Sequence, residues 1–448
     1  MAEITNGRWL NEPPPIAPLK IGHDTRESLK DGLYVAIRGH THDGHDFLDA
    51  AIESGAVMAL VDREVESSIP CLLVSDTLVA LSALAARWRD QLAGTRVFAI
   101  TGTAGKTTTK DLLHHVLGTA QRGSASPASW NNAIGGPMSL LRARPGDDYV
   151  VLEMGTSSPG EIAALARCAR PDVSIITLIG HGHLEGLTSL DGVRAEKLSL
   201  LDFMAPGGTA IVHQDDSDIE PPPSIALLRH GASTNADPRL ASRADGVLIL
   251  GDGARFSFPM AGRHQAVNAV AVIAAARIAG LSDAAISHAL ETASPSRGRG
   301  AESVVGGVRF IDDAYNANPE SVAAALEAFP ELTTTGRRIV ILGDMLELGD
   351  QQGVLHEAIA RPLLESNARA SIDEVLLVGP AMASLAAHSD MSGTCPVSYW
   401  KLLDDAALHS IAGRLAAGDL VLIKASRGMR LERIVEWVGN RESEAATA

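Results

Sequence analysis

The chain has 448 residues, 46% of them hydrophobic, with 42 glycines; that is more than one hydrophobic core supports, so a globular α/β protein of two to four domains is expected and a disordered one excluded. A net charge of −16 argues against nucleic acid or an anionic membrane surface as a partner. Three scattered cysteines, Cys71, Cys168 and Cys395, read as free thiols in a reducing cytoplasm, and neither a signal peptide nor the ~18-residue apolar run of a membrane helix is legible.

Residues 1–88 alternate short apolar runs, at 33–37 and 57–61, with helical patterns, as in a small α/β domain. Residues 89–296 carry strand candidates at 97–100, 149–153, 174–179 and 209–213, separated by helical segments. Continuous apolar strands alternating with helices predict a mostly parallel sheet covered on both faces. Residues 214–245, with Pro221-Pro222-Pro223, read as an irregular excursion. After the polar joint at 294–298, residues 297–448 repeat the strand–helix rhythm in a third, Rossmann-like unit, with strands expected at 339–342, 375–378 and 420–423. Each of these ends in a polar or glycine turn, where open α/β sheets hold their ligands.

The strongest local signal is Thr101-Gly102-Thr103-Ala104-Gly105-Lys106-Thr107-Thr108-Thr109-Lys110. The apolar run at 97–100 leads into it and a helical pattern follows, which is the context a phosphate-binding loop requires. The main-chain N–H groups from Gly102 to Thr108 would face an anion at a helix N-terminus. Lys106 would reach the β- and γ-phosphates of ATP or GTP, and the Thr107 hydroxyl would ligate Mg²⁺. The first glycine of the strict Walker pattern would fall at Ile100, so the loop is a shortened form.

A second constellation lies at the carboxyl ends of the neighbouring strands. One strand ends in Glu153-Met154-Gly155; another runs into Gly180-His181-Gly182-His183-Leu184-Glu185-Gly186, and Lys197 follows His183 by fourteen residues. A hard oxygen donor at a strand end beside the phosphate loop suits Mg²⁺, which makes Glu153 a candidate ligand. Spacing alone leaves open a solvated carboxylate at 153 and a surface lysine at 197.

These segments, in this order and together with Trp130-Asn131-Asn132-Ala133-Ile134-Gly135-Gly136-Pro137, resemble the Mur ligases, the ATP-dependent amide-forming enzymes of bacterial cell-wall synthesis. The likeness is strongest to the branch that adds D-alanyl-D-alanine. It extends through residues 262–269, Asp312-Asp313-Ala314-Tyr315-Asn316-Ala317-Asn318-Pro319, Leu342-Gly343-Asp344-Met345-Leu346-Glu347-Leu348-Gly349 and residues 424–429. Asp24-Thr25-Arg26 and Asp43-Gly44-His45-Asp46-Phe47 match the family's first domain.

The resemblance implies three domains: an N-terminal one for the UDP-linked substrate (1–88), a central ATP-binding one (89–296), and a C-terminal one for the amine that closes on ATP (297–448). It implies a UDP-N-acetylmuramoyl-tripeptide carboxylate activated as an acyl phosphate and attacked by the amine of D-alanyl-D-alanine, in a cytoplasmic monomer. Catalysis falls to Lys106, Glu153, His183 and Lys197. Two Mg²⁺ ions would be held by Thr107, Glu153, His183 and Lys197, the last as a carbamate. Asn268 would contact adenine, with Arg299, Asp313, Tyr315 and Asn316 on ribose or phosphates. The substrates would meet Asp24, Thr25, Arg26, Asp43, His45, Asn131, Asn132, Thr156, Ser157, Lys424 and Arg427. Three places depart from the pattern: Ala104 replaces the usual asparagine, Leu178-Ile179-Gly180-His181-Gly182 replaces N-I-x-P-A, and Ser126-Pro127-Ala128-Ser129 leads into Trp130. His181 reads as a loop residue. The D-N-P-R and G-x-G-G-D-R-D segments of the diaminopimelate- or lysine-adding siblings are missing, which leaves that activity, or a catalytically inactive relative, as the alternatives.

Overall fold

The protein is described by a computed structural model covering residues 1–14, 18, 20–39, 41–216, 218–388 and 395–447, the side chains of 441–447 excepted. Its first sheet has strand order Arg8–Trp9, Cys71–Leu73, Ala56–Val61, Gly32–Val35, Lys20–Gly22, all parallel except the first pair. The helix Thr77–Arg89 covers one face and is N-capped by Asp76, whose carboxylate accepts from the N–H groups of Leu78 and Val79.

The second sheet is entirely parallel, in the order Ala226–His230, Thr209–His213, Val173–Ile176, Arg96–Thr101, Tyr149–Glu153, Gly123–Ala125. Its central strands are buried, Arg96 at the start of one being half-buried, as both-face coverage demands. One face packs on the helices Lys106–Gly118 and Arg263–Ile278, the second an alanine- and valine-rich rod with eleven buried residues. The third sheet runs Ala301–Val305, Val308–Asp313, Leu420–Lys424, Arg338–Gly343, Glu374–Val378, Val397–Trp400, parallel after an antiparallel first pair.

Three expectations need correction. The excursion at 214–245 holds the edge strand Ala226–His230 and the strand Leu240–Ala244. The latter opens a three-stranded antiparallel sheet, with Val247–Leu250 and Arg255–Ser257, that packs on the helix Arg263–Ile278. The apolar run Ile225-Ala226-Leu227-Leu228 is only four residues long and follows three prolines, so its sequence signal is swamped. The strand expected at 174–179 stops at Ile176 because residues 177–180 turn to bond the glycine loop. The hairpin 301–313 went unread because its edge strand is mostly exposed, Val304 included.

Packing also crosses the expected domain limits. Met138, with Trp130, Ile134 and Leu141 beside it, joins the core of the first sheet. Leu184, Leu187 and Val193, from the chain after the strand Val173–Ile176, belong to the core of the third sheet with Met345 and Leu348.

At the edge of the second sheet, the His230 ring is fully buried with the His213 ring 5.4 Å away. Burial, with a smaller push from His213, lowers the His230 pKa to about 3. The unfolded chain, near ~6.5, therefore takes up this proton first. The stabilisation is full above ~6.5 and is lost as the pH falls from there toward about 3, by at most ~1.4 kcal/mol per pH unit. Urea unfolding at pH 7, 6 and 5 should consequently show a steeper loss in the native chain than in His230→Gln; parallel slopes would remove His230 from the acid response.

Candidate active site

The strand Arg96–Thr101 delivers the chain into Gly102 at φ +147° and Gly105 at φ +86°, conformations that L side chains rarely adopt. A Cβ on Gly102 would lie 2.0 Å from Thr177 Oγ1, and one on Gly105 3.0 Å from the Asn268 amide. The loop is thus free of side chains where it faces outward and braced from behind. Thr177 Oγ1 donates to the carbonyl of Ala104 at 2.5 Å, and the Thr103 N–H donates to the carbonyl of Leu178. Gly105 then caps the helix Lys106–Gly118. Lys106 folds back and donates to the carbonyls of Gly102 (2.8 Å) and Thr103 (3.3 Å). Burial lowers its pKa to about 8, against the opposing pull of Glu153.

Thr107 Oγ1 and Glu153 Oε2 are both buried without a hydrogen-bond partner. Burying such groups unpaired is costly unless something else satisfies them. Glu153 is 1% exposed, and its other oxygen accepts from Asn131 Nδ2 at 2.8 Å. Gly155 permits that approach, since a Cβ there would lie 2.7 Å from Asn131 Cγ. The hydroxyl and carboxylate so arranged fit Mg²⁺, which takes few protein ligands and completes its shell with phosphate and water. Among the described residues no group of three or more His, Cys, Asp or Glu forms a metal cage.

Lys197 is fully buried, and its Nζ lacks a partner. Burial first, then the nearby Lys106 ammonium, holds its pKa well below the usual lysine range, although Glu196 opposes this. Glu196 is occupied elsewhere, accepting from the N–H groups of Gly160 (2.6 Å) and Ile162 (2.7 Å) and from Thr156 Oγ1 (3.2 Å). His183 has a left-handed backbone, φ +56°, and donates Nδ1 to Glu347 Oε2 at 2.6 Å. That hydrogen bond holds the Glu347 carboxyl below its ordinary value.

A cavity of about 1000 Å³ opens over the loop, lined from both the second and the third sheets. Of the residues expected at the site, Thr103, Ala104, Gly105, Lys106, Thr108, Asn131, Asn132, Glu153, Thr156, Ser157, His183 and Asn268 line it from the centre. Arg299, Asp313, Tyr315, Asn316 and Lys424 line it from the C-terminal side. There Lys424 Nζ lies 3.0 Å from Asp313 Oδ2 and donates to the carbonyl of Asn316 at 2.6 Å. Arg299 stacks over the Tyr315 ring at 4.2 Å, Arg427 lies 5.8 Å from the same ring, and the Tyr315 hydroxyl meets that of Ser129.

Gly102, Thr107 and Lys197 are buried and do not line it, and Arg427 is exposed outside it. Asp24, Thr25, Arg26, Asp43 and His45 lie outside it. The buried His45 ring bonds within the fold, Nδ1 on Asp43 at 2.6 Å and Nε2 accepting from the Asp62 N–H. Asp43 turns to Arg63, and Asp24 pairs with Arg26, which lowers the Asp24 pKa to about 2. That corner still reaches the central unit, since His23 meets Trp130 edge-on at 6.0 Å.

Residues not read as functional complete the support. Buried Lys110 donates to the carbonyls of Ser126 and Ala128, fixing the segment before Asn131. Thr177, Ser129 and Glu347 act across long sequence separations, and only Glu347 fell within a recognised motif.

Family models match along the chain: "Mur ligase family, catalytic domain" over residues 20–98, "Mur ligase middle domain" over 100–276, and "Mur ligase, glutamate ligase domain" over 299–427. The UDP-N-acetylmuramoyl-tripeptide–D-alanyl-D-alanine ligase of Bacillus subtilis is 34% identical over 430 residues, covering 93% of this chain and 92% of its own. The enzyme of that name from Escherichia coli is 32% identical, with 92% of each chain covered. A crystal structure of MurF from Acinetobacter baumannii superposes with a TM-score of 0.86 at 27% identity, over 98% of this chain and 97% of that one. The Thermotoga maritima MurF structure in complex with ADP superposes at 0.78 and 27% identity, covering 95% and 98%. Agreement that runs through all three large sheets and over nine-tenths of each sequence has one meaning: the chain belongs to the Mur ligase family.

Proposed function

We propose that this chain is an ATP-dependent ligase that joins D-alanyl-D-alanine to UDP-N-acetylmuramoyl-tripeptide through an acyl phosphate, in peptidoglycan precursor synthesis. Relatives that match over more than nine-tenths of its length carry that name. The observation that carries the chemistry is the pair of unpartnered oxygens, Thr107 Oγ1 and Glu153 Oε2, beside a glycine loop at a helix N-terminus. Mg²⁺ bound there would neutralise phosphate charge and polarise the transferring group.

The residues of the chain divide the remaining work. The loop N–H groups and Lys106 hold the β- and γ-phosphates as charge spreads over the transferring oxygens. Asn268, against the loop, is the adenine contact, and Arg299, Asp313, Tyr315 and Asn316 bind ribose or phosphate from the third domain. Because the cavity draws on both sheets, water is kept from an acyl phosphate while the amine arrives. Glu347 orients the His183 ring through Nδ1, reserving Nε2 for a ligand. Lys197, with a free and readily neutral amine, adds to CO₂ with loss of a proton, giving a carbamate. That anion and His183 would hold the second Mg²⁺. Asn131, Asn132, Thr156 and Ser157 face the tripeptide end, while Asp24, Thr25, Arg26 and Asp43 serve the UDP end. The domain limits 1–88, 89–296 and 297–448 are part of this reading, as are a monomeric state and a cytoplasmic location; among the described residues no helix is long and apolar enough to cross a membrane.

ADP release in the presence of the UDP-linked tripeptide tests the reading, with D-alanyl-D-alanine compared against single amino acids. Turnover with diaminopimelate or lysine and none with the dipeptide would reassign the amine. Arg427 anchors the dipeptide carboxylate in this reading: it is 66% exposed, lies against Tyr315, and its only ion pair is Glu432 at 3.3 Å among the described residues. Arg427→Ala should therefore raise the KM for D-alanyl-D-alanine by about tenfold, with little change in that for ATP. Equal rises in both would assign Arg427 to closure instead.

A further inference from the structure

The segment Gly180-His181-Gly182 is one of the places where the chain departs from the family-like pattern, and the ligase reaction gives His181 no task. The structure gives it a partner. His181 donates its main-chain N–H (2.8 Å) and its ring Nδ1 (2.7 Å) to one carboxylate oxygen, Oε1 of Glu320, 139 residues further on. Glu320 stands in the first turn of the helix Pro319–Ala328, which belongs to the third domain. That turn is held by a reciprocal cap: Asn318 Oδ1 accepts from the Ser321 N–H, and Ser321 Oγ from the Asn318 N–H.

The flanking glycines make the contact possible. A Cβ on Gly180 would lie 2.5 Å from Glu320 Cδ. One on Gly182 would lie 2.7 Å from Thr103 Cγ2 and 3.6 Å from Asn318 Nδ2. Gly-His-Gly is therefore threaded between the phosphate loop and the third-domain helix. Its other side is tied to the phosphate loop, because Thr103 Oγ1 donates to the Gly180 carbonyl at 3.1 Å and accepts from the Gly180 N–H at 3.0 Å. Two residues later, His183 makes its own bond to Glu347 of the third domain. The side chains of His181 and Glu320 are 33% and 24% exposed, shielded enough for a charge-assisted bond to count for more than a surface pair does.

We propose that His181 and Glu320 form an interdomain latch that holds the third domain closed on the phosphate loop and sets the position of His183. Both are positioning residues, and the proposal rests on the ligase reading. Losing it should lower the closed fraction without touching the first-domain site for UDP.

The test uses the full chain as His181→Ala, Glu320→Met, which keeps the length of the side chain but offers no oxygen to accept either bond, and the double variant. Steady-state ADP release is measured with UDP-tripeptide and D-alanyl-D-alanine, alongside the distance between two spin labels, one on the central and one on the third domain, with a non-hydrolysable ATP analogue. Each single variant should lower kcat about tenfold, with the KM for the UDP-substrate within about twofold. The double variant should be no slower than the worse single one, because both remove the same contact. The label distances should shift toward the open state in all three. Multiplied losses in the double variant, or an unchanged closed fraction, would overturn the latch. If His181→Ala melts early, Glu320→Met, which keeps its size, decides by the same label distances. A native chain that releases no ADP would sink the ligase reading, while its label distances would still decide the latch.

Discussion

Lys106→Ala should lower ADP release by at least 10²–10³-fold, on the order of the loss when one preorganised charge-stabilising donor is removed, with the fold retained. The side chain is drawn over the glycine loop, bound to the carbonyls of Gly102 and Thr103 at 2.8 and 3.3 Å. Those bonds are worth about 1 kcal/mol each, against the cost of burying the charge, so stability should change little. With no anion bound, burial lowers its pKa to about 8. An incoming triphosphate would reverse that by favouring the charged form. Binding of ATP analogues should therefore weaken in the variant, and weaken further as the pH of the native protein rises above about 8. Near-native turnover by Lys106→Ala would refute the phosphate-loop reading, whatever the likeness to relatives.

The parts of this site that could be read from sequence are those whose physics is local. A strand, two glycines and a helix start within ten residues announce an anion site because φ above zero and free N–H groups are properties of the segment itself. Glu153 and the third-sheet strands were legible for a similar reason: a fully apolar run ending abruptly in a charge is a buried parallel strand reaching its ligand edge. What could not be read joins distant residues. His183 to Glu347 spans 164 positions, Ser129 to Tyr315 spans 186, and Lys110 to Ser126 crosses from a helix to a loop. Periodicity carries no trace of such contacts. The His45 ring is another case: it sits between Asp43 and Asp62 and organises the turn, a contact that the motif around it does not announce. The edge strand Ala226–His230 was lost for a third reason, since four apolar residues after a proline run cannot be told from a loop.

Lys197→Ala should be nearly inactive, and a short carboxylic acid such as acetate should restore part of the activity. An ammonium at this position is poorly placed on two counts: it is fully buried without a partner, and Lys106 repels it. Both favour the neutral amine, which is the form that attacks CO₂. Once carbamylated, the side chain carries the opposite charge, so the neighbouring Lys106 turns from a repulsive to an attractive partner and Nζ no longer lies bare. Since burial and the neighbouring Lys106 both disfavour the ammonium, activity should follow dissolved CO₂. Stripping bicarbonate from the native enzyme should lower kcat reversibly, with the KM for D-alanyl-D-alanine little changed. Lys197→Met, which keeps the volume, should melt close to the native chain, so that loss of activity in it reports the missing anion and not a cavity. A native enzyme indifferent to CO₂, together with an acid-insensitive Lys197→Ala that still turns over, would leave Lys197 as a buried structural amine. The second Mg²⁺ would then have to be held by His183 and the phosphates alone.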